Sequence, residues 1–168
     1  MSYIIATAVA VLMLGLDQLT KYIVSANMEL GQTIGFIDGF LDFTYIHNEG
    51  GAWGVLEGYR WVLLGVTAVV MLLLVFLIIK IGRKSKLFFW AGALIISGGL
   101  GNMIDRIFNG GKVVDFLHAT FINFPIFNVA DCAVVIGAGL LMLYFVLDTI
   151  RESKEKSLKE SIPEDARE

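Results

Sequence analysis

Asp115 and Asp131 bracket a 15-residue segment, FLHATFINFPIFNVA, that carries no formal charge and leads into a further apolar run. A carboxylate near hydrocarbon is unfavourable by about 2.5–3.5 kcal/mol on insertion scales, so such residues tend to serve function. Two close carboxyl groups cannot both ionise easily and come to share a proton. The ionised member can activate water, while the protonated member supports a carbonyl oxygen and then the leaving amine. That is peptide-bond hydrolysis by an aspartic dyad. The same residues could instead be structural, paired with Arg106 or Lys112, and at this point both readings stay open.

Other chemistries are poorly supplied. Cys132 is the only cysteine, and the two histidines, His47 and His118, stand in unrelated contexts. An intramolecular disulfide is therefore excluded, and a cysteine-rich or zinc site is unsupported. Cys132 reads as a small buried packing residue, because no basic group is placed to lower its pKa. The Asp-Thr/Ser-Gly loops of soluble aspartic proteases and the Gly-x-Gly-Asp motif of presenilin-like enzymes are both absent.

The elements that must hold these residues are membrane spans. The 168 residues are 57% hydrophobic and only 17% charged, with a mean hydropathy of +0.74. That is one domain's length and too apolar for an ordinary soluble globule. The net charge of -3 offers no basic surface for nucleic acid. Four apolar spans stand out: residues 4–16, continuing past Asp17 to Val24; 61–79; 87–104; and 132–147 with the turn before it. A bilayer core needs about 20 residues. The first span lacks a positive n-region and carries Asp17 and Lys21, so it reads as a retained helix, not a secretory signal.

Nine of the 13 basic residues fall in two places: Lys80, Arg83, Lys84 and Lys86 between spans two and three, and Arg151, Lys154, Lys156, Lys159 and Arg167 in the tail. The positive-inside rule puts both segments, and so both termini, in the cytoplasm. Residues 25–60 and 105–131, with Asp115 and Asp131, then face the other side.

Residues 32–37 and 40–47 read as two strands around the Asp38-Gly39 turn, a small sheet on the membrane surface. The segment from Gly50 to Leu56 reads as a short interfacial helix, with Trp53, Tyr59 and Trp61 at headgroup level. The expected fold is membrane all-α with a small β element: four transmembrane helices, an extracytoplasmic sheet and a short interfacial helix. Residues 1–150 form one integral-membrane domain, with sheet and interfacial helix over about 28–60. Residues 151–168 form a charged cytoplasmic tail, a solvated helix end fraying into disorder.

Around the two aspartates stand further polar residues. Asp17 and Lys21 lie one helical turn apart and can pair. Asn48 and Gly50 close the sheet. Asn102, Asp105 and Arg106 end span three, and Asp105-Arg106 reads as a structural ion pair. Asn128 can cap the fourth helix, whose dipole also favours Asp131 in its first turn. The glycines of spans three and four read as close helix packing.

Five blocks, in order, resemble lipoprotein signal peptidase (signal peptidase II) over roughly residues 10–150: Asp17-Gln18-Leu19-Thr20-Lys21; His47-Asn48-Glu49-Gly50-Gly51-Ala52-Trp53; Gly101-Asn102-Met103-Ile104-Asp105-Arg106; Val113-Val114-Asp115-Phe116; and Phe127-Asn128-Val129-Ala130-Asp131. The resemblance implies that Asp115 and Asp131, not Asp105, are the catalytic dyad. It implies that Asn48, Asn102, Arg106 and Asn128 line the site, with Gly50, Asp105, Asp17 and Lys21 in support. It further implies an aspartyl endopeptidase of the bacterial cell membrane that cuts prolipoproteins just before a diacylglyceryl-modified cysteine. Expected partners are such substrates, membrane lipids and globomycin-type inhibitors; no cofactor is expected, and a monomer suffices. Gly51 stands where alanine is usual, Cys132 replaces a common serine, and the segment Asn109-Gly110-Gly111-Lys112 is one residue longer than the common pattern. A glycine-containing loop can absorb the extra residue. The rivals are a small proton-coupled transporter, for which no repeat or broken helix is found, and an assembly protein that associates through Asp-Arg pairs.

Overall fold

The computed structural model describes residues 2–82 and 85–161; Arg83, Lys84 and the tail from residue 162, including Arg167, lie outside the described residues. Four helices carry the chain: α1 (Ser2–Asn27), α2 (Arg60–Leu77), α3 (Lys86–Phe108) and α4 (Val129–Ser161). All four are long and apolar enough to cross a membrane. α3 is the central one: 39% of its apolar window is buried, against 6% for α2. Most large apolar side chains of α2 and of the outer faces of α1 and α4 are exposed, among them Val11, Leu12, Val69, Leu72 and Met142. Such surfaces suit lipid and not water. The protein is a multi-pass membrane protein.

Close approach, not bulk, joins α3 to its neighbours. A Cβ on Gly98 would collide with Ala130 O and stand 2.7 Å from Val134 Cγ2 on α4. Small residues let helix backbones meet where lipid removes the hydrophobic drive for association. Replacing Gly98 with valine is therefore expected to destabilise the fold by about 1–3 kcal/mol through overpacking. Thermal unfolding of the purified protein in detergent reads this as a lowered Tm. Gly15→Ala is the control, since nothing lies within 4 Å of a Cβ there.

The sheet has three antiparallel strands in the order β1 (Thr33–Ile37), β2 (Leu41–Asn48) and β3 (Val113–Ala119). β1 and β2 form the hairpin expected around Asp38-Gly39, closed by Phe40 N donating to Ile37 O at 2.9 Å. β3 is an addition to the sequence reading. It joins β2 with Ile46 opposite Asp115 and Asn48 opposite Val113. Tyr45, Val114 and Phe116 pack with Val24 of α1, which fastens the sheet to the helices.

Two expectations gain definite bounds. The interfacial helix is only a three-residue 3-10 turn, Ala52–Gly54. Trp53 (φ 55) and Leu56 (φ 59) sit in the left-handed region, which stops a right-handed helix from continuing. Trp53, Tyr59 and Trp61 are nonetheless highly exposed. The C-terminal segment begins as the solvated helix end expected: α4 continues to Ser161, with Arg151 paired to Glu155 at 2.9 Å, and the rest of the tail lies outside the described residues.

Candidate active site

Two strands and two helix ends converge on Asp115 and Asp131. β3 runs Val113-Val114-Asp115-Phe116 with all four residues buried, and Asp115 is 1% exposed. The chain leaves α3 through Gly110 (φ 68) and Gly111 (φ 101), left-handed turns that glycine adopts freely. After β3 the chain loops back and pairs once more, with Leu117 N donating to Phe127 O at 2.8 Å and Phe127 N to Leu117 O at 3.0 Å. This return sets Asn128 beside Asp115 and starts α4 there.

Asn128, fully buried, touches both aspartates. Its Nδ2 donates to Asp115 Oδ1, and also to Asn102 Oδ1 at 3.0 Å. Its Oδ1 accepts from Asp131 N at 3.0 Å, while its own N donates to Asp131 Oδ2 at 3.1 Å. That reciprocal pair is a capping box, so the capping role expected for Asn128 extends to Asp131. Asp115 Oδ2 accepts from Asn48 Nδ2 at 2.8 Å, and Asp131 Oδ1 from Asn102 Nδ2 at 2.8 Å. Burial raises the Asp115 carboxyl most, the Asp131 charge adds to this, and the amide donors Asn48 and Asn128 and the Lys21 charge oppose it; the result is a pKa pushed up to about 7. A carboxyl so placed can hold or release a proton near neutrality.

Both carboxyls line one cavity of 720 Å³, together with Asn48, Asn102 and Arg106. Its remaining wall is largely apolar, from Phe124, Ile126 and Phe127 to Val134, Val135 and Ile136 on α4. Cys132 also lines it and is half-buried, so it is a wall residue and not the buried packing residue expected. Arg106 is 8% exposed; it donates through one terminal nitrogen to Gly50 O at 2.7 Å and through the other to Asn102 O at 3.4 Å, and its buried Nε has no partner among the described residues.

The expected Asp105-Arg106 ion pair does not form. Successive residues on a helix point about 100° apart, and Asp105 turns instead to Lys21, 3.1 Å away. Neither Asp115 nor Asp131 forms a salt bridge with Arg106 or Lys112 among the described residues; Lys112 pairs with Glu49 at 2.8 Å in solvent. The expected Asp17–Lys21 pair is present at 2.9 Å. Gln18, which the sequence marks with no role of its own, donates through Nε2 to Asp17 Oδ2 at 3.1 Å and to Asp105 Oδ1 at 3.0 Å. Its only signal was its place inside the Asp17–Lys21 block, since an uncharged residue on an apolar helix raises no alarm of its own.

The family described as signal peptidase (SPase) II matches residues 9–147. The lipoprotein signal peptidase of Halalkalibacterium halodurans is 43% identical over 152 residues, covering 89% of this chain and 96% of its own. That of Enterococcus faecalis is 40% identical over 152 residues, with 90% of each covered. A solved bacterial membrane enzyme, determined by the in meso method at 2.3 Å, superposes with a TM-score of 0.82 at 36% identity, covering 86% of this chain and 88% of its own. Since the match takes in all four spans and the sheet that carries Asp115, the chain belongs to the signal peptidase II family.

Proposed function

We propose that this protein is an aspartyl endopeptidase that removes the signal peptide from diacylglyceryl-modified prolipoproteins, cutting just before the lipidated cysteine. The observation that carries the proposal is that Asp115 and Asp131 open onto one cavity and share a single buried amide, Asn128. One carboxylate removes a proton from water, whose oxygen attacks the scissile carbonyl carbon. The other, protonated, donates to the carbonyl oxygen as it gains charge. As the tetrahedral intermediate collapses, the C–N bond breaks and a carboxyl proton passes to the departing amine. Which aspartate acts first as base is a property of the coupled pair.

Arg106 and Asn102 line the cavity beside the dyad and are suited to orient substrate carbonyls, and the apolar wall suits the signal peptide and the acyl chains. Residues 1–150 are the enzymatic unit. The Lys and Arg asymmetry favours cytoplasmic termini and tail, with the cavity toward the extracytoplasmic side. A monomer suffices, and globomycin-type compounds are expected to inhibit.

The test is a gel-shift assay with the purified protein and a lipidated prolipoprotein peptide beside its unlipidated twin. The lipidated peptide is expected to be cut. The kcat/KM is expected to fall as pH rises through about 7, because the active dyad keeps one proton and Asp115 gives up its own there. No cleavage, together with proton uptake into vesicles holding the protein, would establish the transporter instead.

A further inference from the structure

Each member of the dyad follows a residue whose backbone N–H is held by a carboxylate from a different helix. Val114 N donates to Asp105 Oδ2 at 3.1 Å, and Ala130 N donates to Asp17 Oδ1 at 2.8 Å. One ammonium joins the two carboxylates: Lys21 Nζ lies 2.9 Å from Asp17 Oδ2 and 3.1 Å from Asp105 Oδ2. Its third contact, at 2.8 Å, is Asn102 Oδ1, whose amide nitrogen holds Asp131. Three donors meet three acceptors, so the ammonium is saturated. Lys21 is 3% exposed, Asp17 1% and Asp105 4%.

We infer that Lys21 is a positioning residue for the dyad, acting through Asp17 and Asp105 on the backbone that enters Asp131 and Asp115. The inference rests on the proposed peptidase reading. Simple attachment of α1 to α3 would not require such an arrangement, since buried ion clusters can often be replaced by apolar packing without loss of stability. What apolar packing cannot supply is an acceptor for each of those two N–H groups.

The cluster also sets charge. Facing the dyad are Asp17 and Lys21 from α1, Asp105 and Arg106 from α3 and the Cys132 thiol from α4, with Asp115 on β3 and Asp131 on α4 facing each other. With one shared proton on the dyad, three carboxylates stand against two cations. Removing Lys21's charge makes the dyad hold its proton more firmly, so the pH optimum moves up.

The experiment compares Lys21→Met, Lys21→Arg and Gly101→Ala in the full-length protein, measuring kcat, KM, pH profile and Tm on the lipidated peptide. A Cβ on Gly101 would stand 2.5 Å from Asp17 Oδ2, so that variant displaces the clamp without altering charge. All three are expected to lower kcat by about ten- to a hundredfold, as a small misplacement of catalytic groups does. KM is expected to stay within about threefold. Lys21→Met alone is expected to shift the pH optimum upward, by roughly half to one unit. Wild-type kcat and pH profile in folded Lys21→Met would overturn the inference. So would wild-type kcat per folded molecule in both Lys21→Arg and Gly101→Ala, which decide the matter if Lys21→Met does not fold. Asp115→Asn runs in parallel: if it still cuts, the dyad itself is wrong, a failure distinct from that of the clamp.

Discussion

Asp115→Asn and Asp131→Asn are each expected to lower cleavage by at least about 10³-fold, and the double variant to lose little more than either alone. Both carboxyls serve one proton relay, so removing one member leaves the other without a counterpart. The expectation is sharpened by the pH dependence of stability. In the native state Asp115 keeps its proton up to about 7, whereas in the unfolded chain it releases it near 3.8. Between those values the native state binds more protons than the unfolded one, so this group's contribution to stability falls as pH rises through that window. Asparagine has no proton to lose. Asp115→Asn should therefore be inactive with a flatter dependence of Tm on pH, while its NH2 group, facing one of the two amide donors Asn48 and Asn128, lowers Tm by a pH-independent amount. An Asp115→Asn protein that cuts at near the parent rate would remove the dyad from consideration, whatever its stability.

The helices were legible because membrane spans leave a strong signal: long apolar runs with few charges cannot easily be anything else. The β1–β2 hairpin was legible because its partners are adjacent in sequence and joined by Asp38-Gly39. β3 was not, because its partner β2 lies some 70 residues earlier, across two helices, and a strand buried on both faces shows no alternation. The site split along the same line. Asp17 and Lys21 form a local pair, set by helical spacing, and the pair is there. Asp105 and Arg106 are neighbours in sequence but diverge in space, and their partners Lys21 and Gly50 come from elements that no local pattern connects to them. The short helix after β2 is held to one 3-10 turn for a backbone reason, at Trp53 and Leu56, that composition does not reveal.

Asn128 separates structure from chemistry more cleanly than either aspartate, because its two ends do different work. Its Oδ1 caps α4 through Asp131 N, and its Nδ2 holds Asp115. Asn128→Ala should lower stability by about 1 kcal/mol through loss of the cap. It should also lower kcat by about 10²- to 10³-fold, as loss of a preorganised donor in a water-poor site does. Asn128→Ser restores a capping oxygen but no donor amide, so it should recover most of the Tm while its kcat stays close to that of the alanine variant. The pH profile gives an independent sign. The Asn128 hydrogen bond lowers the Asp115 carboxyl, against the raising effect of burial. Without it Asp115 holds its proton longer, and the alkaline limb of kcat/KM should move to higher pH in both variants. Stability and catalysis would then move apart within one residue, which a purely structural Asn128 cannot produce. If Asn128→Ser recovered parent kcat along with parent Tm, the residue would be a helix cap alone, and Asn48 would be left as the amide that orients Asp115.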